Sequence, residues 1–421
     1  MRIVYLHQYF NTPDMPGGTR SYEMARRLVR AGHTVDMVTS DRDPQARGGW
    51  RMTEESGMRV HWIPVPYSNS MDYPRRILAF LSFSFRAALK AAELGGDLVF
   101  ATSTPLTIVL PAIYAAKKNG IPMVLEIRDV WPAVPIAVGA LKDPFSIAAA
   151  RWLERFAYKN ASRIVALAPG MKDEVAQSGY PTDQISVIPN GADLDIFDMP
   201  LDAGRALRNR HDWLGERPLV AFVGAIGKVN GVDYLARLAA AVRTLDPEIR
   251  FAVIGTGREA ELVRETARSL GVLDETFFML GELPKRDAAV WLSACDVATA
   301  LFTGPRIVWK DAVQNKFFDA LAAGKPVINN FDGWQSQVAV EAGAGIILNP
   351  KDTDTAARDL VAILRDRIWL AKAGAAAKTL AIERFSRDRL AAQLETVLSE
   401  MLTEVHHENP RRSVCLTTKP S

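Results

Sequence analysis

Short apolar runs alternate with amphipathic stretches along most of the chain, and this alternation constrains the fold more than any other feature. The first repeat joins apolar runs at 3–6 and 34–39 through a polar loop and an amphipathic stretch. Further apolar runs lie at 97–102, 122–127, 162–167 and 185–188, and a second series begins at 219–224 and ends at 345–348. Strands that alternate with helices form parallel sheets. The sequence therefore predicts an α/β protein.

The 421 residues are enough for two domains with separate cores, which fits the two series of apolar runs. We predict Rossmann-like domains at 1–195 and 218–385 with a charged linker at 196–217. A last amphipathic pattern at 386–404 predicts a helix that returns to the first domain. The polar residues 405–421 are expected to be disordered.

Composition argues against several classes of function. The formal net charge of +3 is too small to indicate nucleic-acid binding. The cysteines, Cys295 and Cys415, have no disulfide or zinc-site spacing, so we expect a reducing cytoplasm and no metal. The first apolar run is too short for a signal peptide, and the longest runs are too short to span a bilayer.

The stretch 311–328 predicts a short helix whose N-terminus binds an anion. Asn315 is a suitable N-cap, and Gly324 with Pro326 predicts the helix end. The unpaired amide groups and the dipole at a helix N-terminus attract anions, and Lys316 adds a full charge there.

Two carboxylates, Asp311 and Asp319, flank the same predicted helix start. Carboxylates accept hydrogen bonds from sugar hydroxyls, so together with an anion site they indicate a nucleotide-sugar. The alternative is a capped amphipathic helix with solvated charges, and spacing alone leaves both open.

Two glycine-containing loops between a strand and a helix are further candidates. Gly17, Gly18 and Arg20 of the first loop are candidate ligand contacts, because paired glycines let backbone amides approach a ligand. Gly224 and Gly227 precede Lys228, a combination that predicts a diphosphate cradle. Glycine-rich loops are also ordinary structural turns, so neither loop identifies the ligand.

Arg128 and Asp129 follow the predicted strand 122–127, where ligands of parallel sheets bind. Arg128 can neutralise a phosphate or orient Asp129. The alternative is an ion pair between the two that only fixes the loop.

The stretch 73–90 mixes aromatic and aliphatic residues with four basic ones. A basic amphipathic helix can lie on anionic lipid. The pattern favours a helix packed on the sheet with its basic side in water, although membrane contact is expected here if the acceptor is lipid-linked.

The segment from Asp311 through Asp319-Ala-Leu-Ala-Ala-Gly-Lys-Pro-Val-Ile resembles the two-acid signature of retaining glycosyltransferases of family 4. This resemblance implies the GT-B fold, in which two Rossmann-like domains face each other across a cleft. It implies that Asp311 contacts the donor sugar and Asp319 the ribose. The Gly17–Gly18 loop would lie over the donor phosphates and the acceptor, and Gly257 would border the nucleotide base.

The chain departs from the commonest family pattern at several positions. Asp replaces Glu at both acids, Arg128 replaces a histidine, and Ala225 and Asn230 replace an arginine and a lysine. The Arg-Asp-x-Trp-Pro form and the variant after Asn315 resemble a bacterial subgroup that builds O-antigen and capsule, including aminosugar transferases.

The resemblance implies transfer of a sugar, with retention, from a UDP-sugar to a glycan or polyprenyl-linked acceptor, without a metal or cofactor. Lys228 and Lys316 would stabilise the departing diphosphate, which would itself assist deprotonation of the acceptor. The expected location is cytoplasmic, at most peripheral to the inner membrane. The alternatives are a nucleotide-sugar epimerase on the same fold and a non-catalytic scaffold of a polysaccharide assembly complex.

Overall fold

A computed structural model describes residues 1–15, 17–68, 71–129, 131–137, 139 and 141–408. The chain divides into two compact units. The first unit comprises Met1–Pro189 together with the residues from Asp388 onward, and the second unit comprises Asn190–Arg387. Each unit contains one sheet with helices against it.

The sheet of the first unit has the order β3-β4-β2-β1-β5-β6-β7-β8 in the described residues. Its strands are β1 (Arg2–Leu6), β2 (Thr34–Asp41), β3 (Arg51–Glu55), β4 (Met58–Pro64), β5 (Leu98–Thr102), β6 (Met123–Ile127), β7 (Arg163–Ala166) and β8 (Ile185–Val187). All neighbouring strands are parallel except β3 and β4, which form an antiparallel hairpin. The carboxyl ends of β4, β2, β1, β5 and β6 therefore lie along one edge.

The helices of this unit are α1 (Arg20–Arg30), α2 (Tyr73–Leu94), α3 (Val109–Asn119), α4 (Ala133–Ala137), α5 (Pro144–Asn160), α6 (Pro169–Gln177) and, from the chain's end, α17 (Arg387–Glu408). Two 3-10 turns lie at Leu106–Ile108 and Thr182–Gln184. One core joins alternate strand residues such as Ile3 and Tyr5 to Leu28 of α1 and to Leu394 and Leu398 of α17. Helix α2 packs against α3, which contacts α5.

The sheet of the second unit is parallel throughout, with the order β11-β10-β9-β12-β13-β14 in the described residues. Its strands are β9 (Leu219–Val223), β10 (Arg250–Ile254), β11 (Phe277–Gly281), β12 (Val297–Ala300), β13 (Val327–Asn329) and β14 (Gly345–Ile347). Its helices are α7 (Leu194–Phe197), α8 (Leu201–Asn209), α9 (Asp233–Leu245), α10 (Ala260–Ser269), α11 (Lys285–Ala294), α12 (Arg306–Trp309), α13 (Asn315–Ala322), α14 (Trp334–Glu341), α15 (Thr353–Arg365) and α16 (Arg367–Glu383). A 3-10 turn lies at Lys228–Asn230. Two apolar cores, one containing Phe317 and the other Phe222, cover the sheet.

The predicted α/β architecture with two parallel-sheet domains is confirmed. The β3–β4 hairpin was not predicted. Where the sequence predicts a linker at 196–217, the structure has the end of α7 and all of α8, which packs on α11 within the second unit. The final helix begins at Arg387 and continues beyond the predicted end at 404 to Glu408, while 409–421 of the predicted tail lie outside the described residues. None of the helices formed by the described residues is long and apolar enough to cross a membrane.

Candidate functional site

Two glycine-containing loops pack backbone against backbone at the carboxyl edge of the second unit's sheet. Gly224 follows β9 and has a φ of +144°, and Gly255 and Gly257 follow β10 with φ of +146° and +157°. A Cβ at Gly255 would overlap the Gly224 carbonyl oxygen, and one at Gly257 would overlap that of Ile226. Gly255 and the predicted Gly257 are therefore needed for this close approach, and the predicted Gly224 is needed for its backbone conformation.

Lys316, in the first turn of α13, lies against the Gly224 loop. Its Cε is 3.1 Å from where a Cβ on Gly224 would lie, and its Nζ is 4.3 Å from the centroid of the Phe222 ring. Its ammonium group donates to Asn230 Oδ1 at 3.2 Å, and no described carboxylate forms an ion pair with it. Burial lowers the pKa of Lys316 to about 7. A bound anion would supply the charge that the protein does not provide, so Lys316 is a candidate anion-binding residue.

An amide network that sequence reasoning missed connects the loop to the helix start. Asn230 Nδ2 donates to the Ala225 carbonyl at 2.8 Å, and Asn230 Oδ1 also accepts from Gln314 Nε2 at 3.3 Å. Gln335 Oε1 in turn accepts from the Gln314 backbone amide at 3.0 Å. Asn230 was visible in the sequence only as a departure from a family lysine, and nothing in the sequence pattern indicated Gln314 or Gln335.

The predicted N-cap is wrong by one residue. Helix α13 begins at Asn315 itself, and Gln314 is the N-cap without a side-chain capping bond. Because the Gln314 backbone amide is already bonded to Gln335, the helix start is held from outside rather than by a cap. Asn315 Oδ1 is buried and has no partner among the described residues. It remains available to a ligand that donates a hydrogen bond.

Asp319 lies three residues beyond Lys316 but in a different charge environment. Desolvation raises the pKa of Asp319 to about 7; nearby Lys285 opposes the shift and nearby Asp193 adds to it. Asp193 accepts from Lys285 Nζ at 2.7 Å and from Arg387 Nε, so this cluster is internally paired. A desolvated carboxyl that no neighbouring cation neutralises is suited to bind hydroxyl groups.

The remaining predicted residues of the second unit are less buried. Lys310 Nζ lies 3.5 Å from Asp311 Oδ2, an atom that is itself buried. Lys228 is exposed at the start of the 3-10 turn Lys228–Asn230, directly after Gly227. The structure thus brings Gly224, Gly257 and Lys316 together, while Lys228 lies at the outer part of the same loop.

In the first unit, Arg20 has a structural role instead of the predicted ligand contact. It is fully buried, and its guanidinium donates to Glu126 Oε2 at 2.7 and 3.0 Å and to the carbonyls of Ile188 and Pro189. Although burial alone would raise it, Arg20 holds the pKa of Glu126 below its ordinary value. Every direction of this guanidinium is occupied by protein, so we do not carry Arg20 into the proposed site.

The Gly17–Gly18 loop is exposed and precedes α1. Gly17 has a φ of +117°, and a Cβ there would come within 2.7 Å of Asn11 Nδ2. Asn11 Nδ2 donates to the Gly18 carbonyl at 3.3 Å, and Asn11 Oδ1 accepts from Arg42. Asn11, which sequence reasoning did not single out, therefore supports the loop from inside.

Arg128 and Asp129 follow β6, and no ion pair joins them in the part of the chain that the structure describes. The Arg128 amide donates to Ser103 Oγ at 2.9 Å, and Thr104 Oγ1 donates to Asp129 Oδ2 at 3.1 Å. Arg128 Nη1 lies 3.5 Å from Nε2 of the buried His7. Desolvation and the charge of Arg128 hold the pKa of His7 well below its ordinary value, so this histidine is a neutral group under a cation. The alternative of a mutual Arg128–Asp129 pair is not favoured.

Within the described residues, no group of three or more His, Cys, Asp or Glu side chains is placed to hold a metal ion. The lysines and the backbone amides described above are groups that could stabilise a leaving anion.

Comparisons with known families cover both units. A model described as a glycosyl transferase 4-like domain matches residues 17–191, and one described as glycosyl transferases group 1 matches residues 217–366. Together these matches span most of the chain. A Pseudomonas aeruginosa protein named "Probable glycosyltransferase WbjE" is 26% identical over 345 residues, which cover 80% of this chain and 84% of that protein.

Solved structures show the same fold. Sucrose-phosphate synthase from Thermosynechococcus elongatus matches with a TM-score of 0.76 at 17% identity, over 96% of this chain and 99% of that one. HepE of Anabaena, in complex with UDP and glucose, matches with a TM-score of 0.71 at 18% identity, over 95% and 100%. At such identities the likeness establishes the fold alone, and the fold is that of the GT-B proteins.

Proposed function

The chain belongs to the glycosyltransferases with the GT-B fold, and we propose that it transfers a sugar from a UDP-sugar to a hydroxyl of a glycan acceptor with retention of configuration. The observation that carries this proposal is Lys316, a partly buried cation that lies beside a glycine loop and has no acidic partner among the described residues. Such a site is prepared for the diphosphate of a nucleotide. The UDP bound to the structural neighbour HepE supports the choice of base.

The donor residues have distinct roles. Lys316 and the first amides of α13 stabilise the charge on the departing diphosphate, and Lys228 adds charge from the outer part of the loop. Gly224 and Gly227 admit the phosphates, and Gly257 borders the base. Asn315 offers an unpartnered acceptor beside the same helix start.

The two acids contact hydroxyl groups. Asp319 holds the ribose, since its desolvated carboxyl has a pKa of about 7 and can either accept or donate a hydrogen bond there. Asp311 contacts the donor sugar, as its position in the two-acid signature implies.

The first unit supplies the acceptor side. Gly17 and Gly18 present backbone amides, and Arg128 and Asp129 orient phosphate and hydroxyl groups at the carboxyl edge of the sheet. No side chain is assigned as a covalent nucleophile. The leaving phosphate assists deprotonation of the acceptor hydroxyl on the face from which it departs. No metal or cofactor enters this scheme.

The resemblance to the O-antigen and capsule subgroup supports a role in surface polysaccharide synthesis in the cytoplasm. The donor sugar proposed on this basis is an N-acetylaminosugar, and the acceptor is a glycan or polyprenyl-linked glycan. Neither the epimerase nor the scaffold alternative gains support from the matched families.

The experiment that tests the donor site is binding of UDP-, GDP-, ADP- and dTDP-sugars, followed by thermal unfolding and calorimetry. A ligand that binds only the folded state raises the melting temperature. Lys316→Gln should weaken UDP binding about 10- to 100-fold, because it removes a charge-assisted hydrogen bond. Asp319→Asn should weaken UDP but leave pyrophosphate binding unchanged.

Lys351→Gln is the matched control, since Lys351 is an exposed lysine of the same unit. Equal binding of UDP by the Lys316→Gln and control variants would refute the donor site. Release of UDP from a UDP-sugar only when an acceptor is added separates a transferase from an epimerase, and the anomeric configuration of the product tests retention.

Peripheral contact with the inner membrane is also supported by the surface that α2, α3 and α5 share. These three helices contain nine basic and two acidic residues. Their outward side exposes Leu78, Leu81, Phe85, Leu89, Phe145 and Trp152. A surface that combines exposed apolar side chains with excess positive charge fits an anionic bilayer.

Co-sedimentation with vesicles of phosphatidylglycerol and phosphatidylcholine tests this surface. Replacing Leu78 and Phe85, which are 66% and 71% exposed, by glutamate should weaken binding at least about 10-fold through lost burial of apolar area. Leu262→Glu, at a leucine of α10 that is 52% exposed, is the control and should have no effect. Unchanged binding of the double variant would exclude this surface.

A further inference from the structure

Four side chains from separate elements meet at the carboxyl edge of the first unit's sheet. Tyr9 follows β1, Arg42 follows β2, Tyr67 follows β4, and Arg76 lies in the first turn of α2. We call these four residues the Tyr9 cluster. None of them was a candidate in the sequence, because the three strands that precede them are far apart in the chain and Tyr67 and Arg76 follow the hairpin that was not predicted.

The cluster has two neighbouring rings, tilted against each other, with a guanidinium beside each. The centroids of Tyr9 and Tyr67 are 4.8 Å apart with a tilt of 35°, and Phe80 lies 5.7 Å beyond Tyr67. Arg42 Cζ is 5.8 Å from the Tyr9 centroid, and Arg76 Cζ is 5.8 Å from the Tyr67 centroid. Two positive charges thus flank one aromatic surface.

Neither arginine forms an ion pair with a carboxylate in the described part of the chain. Arg42 donates to the amide oxygen of Asn11, and the pKa of Arg42 is lowered by desolvation. The nearby Asp41 already accepts from Arg51 at 3.0 Å. Arg76 has a buried Nε without a partner.

The residues before Tyr9 also have unused polar atoms. Gln8 is fully buried, and neither its side-chain oxygen nor its side-chain nitrogen has a partner among the described residues. His7 is 3% exposed and its Nδ1 has no partner. Arg128 Nη1 lies 3.5 Å from His7 Nε2, and desolvation together with the charges of Arg128 and Arg42 holds the pKa of His7 well below its ordinary value. Buried polar atoms without partners are costly unless a ligand or water satisfies them.

We propose that the Tyr9 cluster is a subsite for a phosphate group of the acceptor, with Arg42 and Arg76 binding the phosphate and the Tyr9–Tyr67 rings contacting the adjoining sugar. This inference rests on the proposed transferase function, and it adds the chemical class of the acceptor. Two unpaired guanidiniums match a dianion better than a single carboxylate, since each can donate two parallel hydrogen bonds to phosphate oxygens. Aromatic rings provide a flat apolar surface for the carbon face of a sugar.

The phosphate has two chemical sources, a lipid diphosphate or a free sugar phosphate. Leu78, Leu81 and Phe85 of α2 are exposed within three turns of Arg76, and on a helix with 3.6 residues per turn they lie within an arc of roughly 60°. By the same spacing Arg76 lies on the opposite side of the helix, roughly 170° from the middle of that arc. The exposed apolar side of α2 therefore does not favour the lipid source, and the titration distinguishes the two sources.

The test is titration of the full chain with two probes, glucose 1-phosphate and farnesyl diphosphate in detergent micelles, in the presence of saturating UDP. Methyl glucoside and farnesol serve as uncharged counterparts. The Arg42→Gln/Arg76→Gln double variant should bind the phosphate probes about 10- to 100-fold more weakly, as expected when charge-assisted hydrogen bonds are lost. Arg47→Gln, at an exposed arginine that bonds only to the carbonyls of Pro44 and Ala46, should bind them like the parent chain.

Each outcome decides the proposal. Loss of farnesyl diphosphate binding alone assigns the lipid source, and loss of glucose 1-phosphate binding assigns the free sugar phosphate. Equal binding by the double variant and the parent chain overturns the subsite, and so does failure of the parent chain to bind either probe. If the rings and arginines only stabilise the loops, the double variant lowers the melting temperature without changing the affinity of the folded protein.

The failure of this subsite is distinguishable from failure of the proposed function. UDP affinity of the double variant reports the donor site, which does not contain these arginines. The titration is repeated without UDP in the Lys316→Gln chain, where the second unit no longer has the Lys316 ammonium group. Phosphate binding that persists there and disappears with Arg42→Gln/Arg76→Gln belongs to the first unit, whatever the donor is.

Discussion

Arg20, which is fully buried, and Lys316, which is partly buried, are both cations in the first turn of a helix, yet their charge environments are opposite. Arg20 is neutralised by Glu126 and by two backbone carbonyls. Lys316 meets only an amide oxygen and an aromatic ring, and burial lowers its pKa to about 7. The difference teaches that burial of a cation is not by itself a sign of a binding site, whereas a desolvated cation without a counter-charge is a candidate for one.

The largest expected effect is the loss of stability when Arg20, the neutralised cation, is replaced. Arg20→Met should lower the free energy of unfolding by about 3–5 kcal/mol, because it leaves the fully buried Glu126 carboxylate without its partner. Urea unfolding of Arg20→Met and of the double variant Arg20→Met/Glu126→Leu measures this, and the double variant should recover part of the loss. Arg237→Met, at a half-exposed surface pair, is the control.

A cost below about 1 kcal/mol for Arg20→Met would place this pair with ordinary surface ion pairs. Arg20 would then not be a structural cation whose neutralisation stabilises the fold, and its contrast with Lys316 would be lost. UDP affinity of the folded Arg20→Met variant should equal that of the parent chain.

A second prediction concerns pH. The folded-state pKa of Lys316, about 7, is below its ordinary value of 10.5, so the unfolded chain binds more protons between these limits. Stability of the ligand-free protein should therefore rise from pH 7 to pH 10, with a slope that approaches roughly 1.4 kcal/mol per pH unit inside this range. Lys316→Met should remove this rise and increase stability at pH 7.

Asp319 should make stability depend on pH in the opposite direction. Its folded-state pKa of about 7 is above its ordinary value of 3.8, so the folded chain holds the proton longer and stability should fall from pH 4 to pH 7. Unfolding experiments on Lys316→Met and Asp319→Asn separate the two contributions. A flat profile between pH 7 and 10 in the parent chain would contradict the charge state proposed for Lys316.

Candidate residues of this site that follow local sequence patterns could be predicted. Those that depend on contacts between residues far apart in the chain could not. Gly224 and Lys316 became candidates because a turn glycine and a lysine at a helix start are local signals, and Gly257 became one through the resemblance to family 4. The partner of Arg20 is 106 residues away at Glu126, and such a pairing has no local pattern. The N-cap moved from Asn315 to Gln314 because a distant Gln335 satisfies the backbone amide. The Tyr9 cluster is likewise set by the order of β1, β2 and β4 in the sheet.

The smallest expected effect is at Asn230, whose side chain gives Lys316 its hydrogen bond. Asn230→Ala removes that bond and the bond to the Ala225 carbonyl, so Lys316 should be less well oriented and more easily deprotonated. UDP affinity should fall several-fold, which corresponds to at most the loss of about one hydrogen bond between a neutral and a charged group.

Asn230→Lys should make a sharper comparison, since it restores the family residue but places a second cation beside Lys316. If two like charges compete there, the pH range in which UDP binds shifts downward; if the new lysine points outward like Lys228, UDP binds more tightly at every pH. Calorimetry of both variants between pH 6 and 9 distinguishes these outcomes, and unchanged affinity in Asn230→Ala would mean that burial and the Phe222 ring alone orient the ammonium group.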